Sequence, residues 1–356
     1  MRIAQVAPLY ESVPPKLYGG TERVVSFLTE ELVRQGHEVT LFASGDSLTS
    51  ARLVPACPES LRLDKNCWDQ LAHHVLMLEK VFSEKENFDI IHFHVDYLHF
   101  PFSRREQAVS VTTLHGRLDI PDLEPVYRVF ADMPVVSISN AQRQPLSWIN
   151  WQGTIYHGLP LERYAFHPKK GDYLAFLGRV SPEKGLDQAI EIAKHAGMPL
   201  KIAAKVDRVD REYHDAVIKP LLQHPLVEFL GEIGYPDKCE FLGQAAALLF
   251  PINWPEPFGL VMIEAMACGT PVIAYPCGSV PEIMEDGVTG FVVRDTQSAV
   301  EAVRLIPEID RAACRQRCEE QFSAARMTND YLSIYERLIG GEPEPLTLTD
   351  GVSVGG

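Results

Sequence analysis

Apolar residues recur along this chain in two alternating rhythms. Short runs rich in β-branched residues stand at RIAQVAP (2–8), EVTLFAS (38–44), DIIHFH (89–94), VSVTTLH (109–115), PVVSIS (134–139) and TIYHG (154–158). Between them, helical spacing marks segments from about Thr21 to Gln35 and near 68–86. Such runs separated by amphipathic helices predict a parallel sheet covered on both faces. LPLERYAFHPKKG (159–171) then breaks the rhythm with two prolines and no clear period, as an interdomain linker does.

A second series follows: DYLAFLG (172–178), a helix from about Glu183 to His195, LKIAAKV (200–206), a helix near 210–223 and VEFLG (227–231). A helix near 236–246, ALLFP (247–251), an apolar helix, PVIAYP (271–276) and GFVV (290–293) complete it. The pattern is helical over 296–339, long enough for a last helix to return to the first domain. The expected division is 1–165 rejoined by about 325–340, then 166–324, with a glycine- and proline-rich tail over 341–356 expected to be flexible. Two doubly wound α/β domains in tandem place the carboxyl ends of their strands on either side of one cleft.

Within PEPFGLVMIEAMACGTPVIA (255–274), Glu264 interrupts a helix that is otherwise apolar all round, which is the pattern of a buried helix. A buried carboxylate costs several kcal/mol unless charge-assisted hydrogen bonds replace its water, so Glu264 requires strong donors from the protein or from a ligand. Glu256 stands just before the helix and is the more exposed of the two acids. Pro255, Pro257 and Gly259 shape the entry, and the free N–H groups of Phe258, Gly259, Leu260 and Val261 suit hydroxyl or phosphate oxygens.

Composition narrows the function. The 356 residues, 46% hydrophobic and 23% charged, are ordinary for a soluble enzyme. A net charge of −15 argues against nonspecific nucleic-acid binding and against a basic membrane face over much of the protein, and leaves a local basic patch open. Seven cysteines without a CxxC pair point to free thiols in a reducing compartment; Cys314 and Cys318, four apart on an expected helix, suit a packing or incidental role, the alternative being a metal site. The start MRIAQVAPLY has no secretion-signal pattern, and no run is long and apolar enough to span a bilayer, so a cytoplasmic location is expected.

Gly19 and Gly20 directly precede the first helix. They either expose N–H groups to an anion such as a diphosphate or only permit a tight turn, and they do not match the GxGxxG dinucleotide fingerprint. In FLGRVSPEKGLD, Arg179 follows a strand and Lys184 begins the next helix. Two cations on that edge suit a phosphate pair, the alternative being ordinary solvated bases. His115 ends a strand at the cleft, where it can hydrogen-bond a ligand or serve packing.

GGTE, LHG, GRVSPEKG, EPFGLVMIEAMACGTPVIA and GSVPEIMEDGVTGFVV, in that order across most of the chain, resemble the family 4 glycosyltransferases, the E-x7-E element being the most specific motif. The resemblance implies the GT-B fold, two Rossmann-like domains facing a central cleft. It also implies a nucleotide-sugar donor held mainly by the C-terminal domain and transfer with retention, generally without an essential metal or other cofactor. By it, Arg179 and Lys184 match the diphosphate pair, Glu256 the carboxylate on the donor sugar and Glu264 the one on the ribose. Gly20 matches a glycine near the diphosphate, His115 a histidine near the transferred sugar and, more loosely, Ile233 a nucleobase contact. His92 and His94 in IHFHVD also follow a family pattern, with packing and catalysis both open. Cys277 departs from the pattern where glycine is common, which puts the pocket wall in question.

The implied reaction is front-side substitution, in which the leaving diphosphate helps remove the acceptor proton and no protein nucleophile is needed. UDP-glucose is the expected donor, with GDP-sugars the alternative. The acceptor is expected to be a soluble sugar, small alcohol or glycan, with peripheral membrane contact left open. It should meet the first domain near Tyr10 to Tyr18, Asp96 to Phe102 or Arg117 to Glu124. Rival functions are a glycoside phosphorylase or disaccharide synthase of the same fold, a sugar-nucleotide epimerase and a nonenzymatic nucleotide-sugar binder.

Overall fold

The computed structural model describes residues 1–62, 64–235 and 237–341; apart from Gly341, the expected tail lies outside them. The first sheet contains β1 (Arg2–Val6), β2 (Glu38–Ser44), β3 (Arg52–Cys57), β4 (Ile90–Phe93), β5 (Ser110–Thr113), β6 (Val135–Ser137) and β7 (Trp151–Thr154). The second contains β8 (Leu174–Arg179), β9 (Leu200–Lys205), β10 (Val227–Gly231), β11 (Ala247–Phe250), β12 (Val272–Ala274) and β13 (Gly290–Val292). Their orders are β3-β2-β1-β4-β5-β6-β7 and β10-β9-β8-β11-β12-β13, and the pairing is parallel throughout.

Central strands such as Ile3 to Val6, Ile90 to Phe93 and Ala247 to Phe250 are buried on both faces because helices cover each side. The Gly20–Arg34 helix buries one face and keeps its last basic residue, Arg34, out in an ion pair with Glu31 at 2.5 Å. Helix starts take their expected acceptors: Asp69 accepts from Leu71 N and Ala72 N, and Ser323 from Arg326 N.

Several expectations need correction. Strand β3 was not anticipated, and β7 lies at Trp151–Thr154 instead of 154–158. The helix expected near 210–223 is broken into short α turns at Arg211–Tyr213 and Lys219–Leu221 around a wide turn at His214–Ile218. Pro220 lies in the last of these; a proline has no N–H to donate, and its ring crowds the preceding turn. The helix expected near 236–246 is described over Asp237–Gly243.

The final helix, Ala324–Gly340, does return to the first sheet. The Tyr335 hydroxyl lies 2.6 Å from His92 Nδ1 and accepts from Gln5 Nε2 at 3.2 Å, while Tyr331 pairs with Thr113 at 2.8 Å. On the opposite flank, the Glu282 carboxylate accepts from Asn140 N and Ala141 N at 2.7 Å and from the Tyr156 hydroxyl at 2.9 Å. An acid of the second half thereby caps a short helix of the first, and Ser139 Oγ donates to Pro257 O nearby at 2.6 Å. These contacts hold the two walls of the cleft at fixed spacing.

Candidate active site

Both sheets reverse their winding about their first strand, between β1 and β4 and between β8 and β11. The loops leaving those strands open a crevice at the carboxyl edge, the position where doubly wound sheets bind ligands. The two crevices face each other as one cleft of about 550 Å³. The residues matched to the donor and the transferred sugar all line it: Gly20 and His115 from the first half, and Arg179, Lys184, Ile233, Glu256, Phe258, Gly259, Leu260, Val261 and Glu264 from the second, whereas His92 and His94 do not. Of the three loops suggested for the acceptor, only the first lines it, through Tyr10, Glu11, Leu17 and Tyr18. Cys277 is not among the lining residues. Its neighbour Gly278, at φ 58°, packs against the Glu256 backbone where a side chain would collide, so that segment supports the wall from behind.

On the second-domain wall, cations and carboxylates are interleaved. Arg179 stands between Glu183, to which its Nη2 donates, and Asp210, whose oxygen is 3.2 Å from Nε. Lys184 pairs with Glu256 and lies 4.7 Å over the Trp254 ring. Gly259, at φ 78°, turns the chain into the Leu260–Ala267 helix, and among the described residues the N–H groups of Phe258 to Val261 have no backbone acceptor. The helix therefore presents its positive end to the cleft.

Glu264, 2% exposed, receives its donors from the protein. Lys238 Nζ lies 2.8 Å and the Tyr164 hydroxyl 3.2 Å from the same oxygen, Oε1. The second oxygen, Oε2, takes no donor among the described residues and is left to the cleft. Lys238 is held below the ordinary lysine range by burial, against which the Glu264 charge pulls upward. Neither donor was identified from the sequence, because a lysine and a tyrosine far along the chain carry no local signal of a buried partner.

The first-domain wall is built on buried histidines. His94 Nε2 lies 2.8 Å from Gln5 Oε1, and His94 Nδ1 lies 2.9 Å from His115 Nε2. Since the Gln5 amide nitrogen is turned to Tyr335, its carbonyl oxygen must accept, which assigns the His94 proton to Nε2. His94 Nδ1 is then the acceptor, and His115 must donate from Nε2, leaving its own Nδ1 as a lone pair. The same logic makes Tyr335 the donor to His92 Nδ1 and His92 Nε2 the donor to Thr113, at 2.7 Å. His92 thus ties the last helix to the sheet. His94 orients the cleft histidine, so the two members of IHFHVD have separate duties.

Residues 162–321 match the family described as Glycosyl transferases group 1, and residues 18–152 match the one described as Glycosyltransferase Family 4. The chain belongs to the family 4 glycosyltransferases. Among its relatives, the alpha-maltose-1-phosphate synthase of Mycolicibacterium smegmatis is 30% identical over 184 residues, 46% of this chain and 48% of that protein. The chain spans about half the length of the first curated relatives it matches. Sucrose-phosphate synthase from Thermosynechococcus elongatus superposes with a TM-score of 0.78 at 20% identity, covering 96% of this chain and 100% of the other. The Anabaena protein HepE in complex with UDP-glucose superposes at 0.70 and 20% identity, covering 96% and 100%. These superpositions show the fold, GT-B.

In this family member, burial holds His92, His94, His99 and His157 well below the ordinary imidazole range and takes His115 down to about 3. Neutral when folded, each takes up a proton on unfolding below about pH 6.5. Stability should therefore fall as pH drops below that value, by up to about 1.4 kcal/mol per pH unit per histidine. Glu22 and Asp96, lifted by burial to about 7 and about 6, act in the opposite sense: they favour the folded state at low pH and lose that contribution as pH rises through those values. The five histidines outnumber the two acids, so urea midpoints should decline from pH 7 to pH 5; a flat or rising series would contradict the neutral cluster.

All seven cysteines are free thiols. Cys314 and Cys318 are buried in the core, their sulfurs directed at Val288 O and Ile263 O. Among the described residues, no helix is long and apolar enough to cross a membrane.

Proposed function

We propose that the protein transfers a hexosyl group from a nucleotide-diphosphate sugar to a hydroxyl acceptor, with retention at the anomeric carbon and no required metal. The observation that carries this reading is the second-domain wall. Arg179, Lys184 and the N–H groups of Phe258 to Val261 converge on one side of the cleft, with Glu256 and Glu264 Oε2 beside them, the N–H groups and Oε2 having no partner among the described residues. Cations and helix N–H groups suit a diphosphate, and carboxylates suit the hydroxyls of a sugar and a ribose. UDP-glucose is the first donor to test, supported by the UDP-glucose complex of a protein with the same fold.

In the proposed reaction the acceptor oxygen attacks the anomeric carbon on the face from which the diphosphate leaves. The new C–O bond forms as the old one breaks, and the acceptor proton passes to a leaving phosphate oxygen. Arg179 and Lys184 stabilise the charge that develops on the diphosphate. Glu256 fixes the sugar hydroxyls, and His115 offers its unprotonated Nδ1 as an acceptor to the sugar. Retention requires no nucleophilic side chain in this scheme. The expected location is the cytoplasm, where sugar nucleotides are at hand.

The test is a melting-temperature screen of nucleotides and nucleotide sugars, followed by product analysis with the stabilising donor. A rise with UDP or UDP-glucose and a retained anomeric configuration are expected. Stabilisation by no nucleotide, or release of isomerised donor without an acceptor, would overturn the reading.

A further inference from the structure

Five of the six lysines and arginines lining the cleft are paired with a carboxylate. Beyond Arg179, Lys184 and Lys238, described above, Arg62 pairs with Glu11 and Lys205 with Asp207 at 2.7 Å. Arg23 is the exception. It is 7% exposed, on the first turn of the helix that follows Gly19 and Gly20, and among the described residues no carboxylate oxygen lies within 4.0 Å. Its one hydrogen bond is from Nη2 to Leu17 O at 2.8 Å. Nε and Nη1 donate to nothing among the described residues, and the residue lines the cleft.

Glu22, next to Arg23 in the chain, is near enough for the two charges to bear on each other but makes no ion pair with it. A guanidinium nine-tenths buried without a direct ion pair is costly, and an anion that enters with the ligand lowers that cost. Its place fits such an anion. Arg23 projects from the first-domain wall toward Lys238 and Tyr164 of the opposite wall, near enough for its charge to bear on both. Its fork geometry suits two oxygens of a phosphoryl group better than a single hydroxyl. An anion bound there would also face the start of the Gly20–Arg34 helix, where a negative charge is favoured.

We propose that Arg23 forms a phosphate subsite on the first-domain wall, taking phosphoryl oxygens that Arg179 and Lys184 meet from the other side. The assignment rests on the reading of the cleft as a site for a phosphorylated substrate. It adds a contact that depends on both halves being in place: a bound phosphate ties the first helix to the second domain. The phosphate belongs either to the donor diphosphate or to a phosphorylated acceptor.

The experiment compares wild type, Arg23→Gln and Arg23→Lys in the full chain by calorimetric titration with inorganic pyrophosphate, with UDP and with uridine. Arg23→Gln should weaken pyrophosphate roughly 10- to 100-fold, with Arg23→Lys between it and wild type, because the charge is kept and the fork is lost. UDP should weaken in proportion while uridine does not; loss of the Leu17 brace alone would move both equally. If UDP is unchanged but the KM for a sugar phosphate acceptor rises against that for the free sugar, the phosphate is the acceptor's. Equal pyrophosphate affinity in Arg23→Gln and wild type, or no pyrophosphate binding by either, overturns the subsite. Loss of pyrophosphate affinity in Arg23→Gln, with no sugar nucleotide transferred by the wild type, would keep the subsite and reject the transferase reading instead.

Discussion

Arg179→Met is expected to lower turnover by about 10²- to 10³-fold, the range seen when one preorganised donor to a developing charge is removed. The loss should fall on kcat more than on KM for the donor, because the interaction strengthens as charge accumulates on the leaving diphosphate. The local geometry adds a second component. Glu183 and Asp210 hold the guanidinium between them, and without it two carboxylates remain beside the phosphate oxygens with nothing to neutralise them. Asp210 is already shifted upward, chiefly by burial, with Arg179 as the main opposing charge. Adding Asp210→Asn to Arg179→Met should therefore recover part of the lost activity, whereas Asp210→Asn alone should not raise it. Arg179 is about one-third exposed on a strand end, so the melting temperature should scarcely move. Single-turnover rates with saturating donor decide the matter, and a wild-type rate in Arg179→Met would remove Arg179 from the phosphate role.

The elements that position these groups were legible where burial is two-sided. Ala247–Phe250 is an unbroken apolar run, and Ile90–Phe93 is broken only by His92, a pattern that a strand buried on both faces leaves in the sequence. Arg52–Cys57 escaped notice because it is an edge strand, half exposed and carrying Pro55. Trp151–Thr154 is displaced by three residues from the expected position because WQGT has no apolar run, and the IYHG that follows it, over 155–158, is loop.

The site divides along the same line. Residues fixed at a strand end or helix start, such as Arg179, His115 and the Phe258–Val261 segment, follow from the topology of a doubly wound sheet, which brings those termini to one edge. Their partners do not. Gln5 meets Tyr335 across the whole chain, Lys238 meets Glu264 from the neighbouring helix, and Arg23 is defined by what it lacks. Glutamine, lysine and arginine at these positions have no periodic signature, and only the packed structure shows which partner each of them meets.

Lys238→Met is expected to destabilise the protein by about 3–5 kcal/mol, the cost of leaving one member of a buried ion pair without the other. Glu264 is 2% exposed on a helix apolar on every side, and Met262, Ile263 and Met266 close off all of the carboxylate but the Oε2 edge that faces the cleft, so water can replace only part of what Lys238 supplies. The Tyr164 hydroxyl still donates to Oε1, but one neutral donor at 3.2 Å replaces little of an ammonium at 2.8 Å. Adding Glu264→Gln should restore much of the loss, since an amide keeps the tyrosine contact and removes the uncompensated charge. The double-mutant cycle should then give a coupling energy well above the ~0–1 kcal/mol of exposed pairs. Donor binding separates structure from function in these variants. If a ribose hydroxyl donates to Glu264, the nucleotide restores a partner to the carboxylate in Lys238→Met, and its melting temperature should rise more on UDP addition than that of wild type. In the double mutant the amide answers a hydroxyl with a weaker, neutral acceptor, so the UDP shift should be smallest there although the ligand-free protein is again stable. A Lys238→Met protein as stable as wild type would show that the pair is not sealed from water. Equal UDP shifts in all three variants would show that the buried acid serves the core and not the nucleotide.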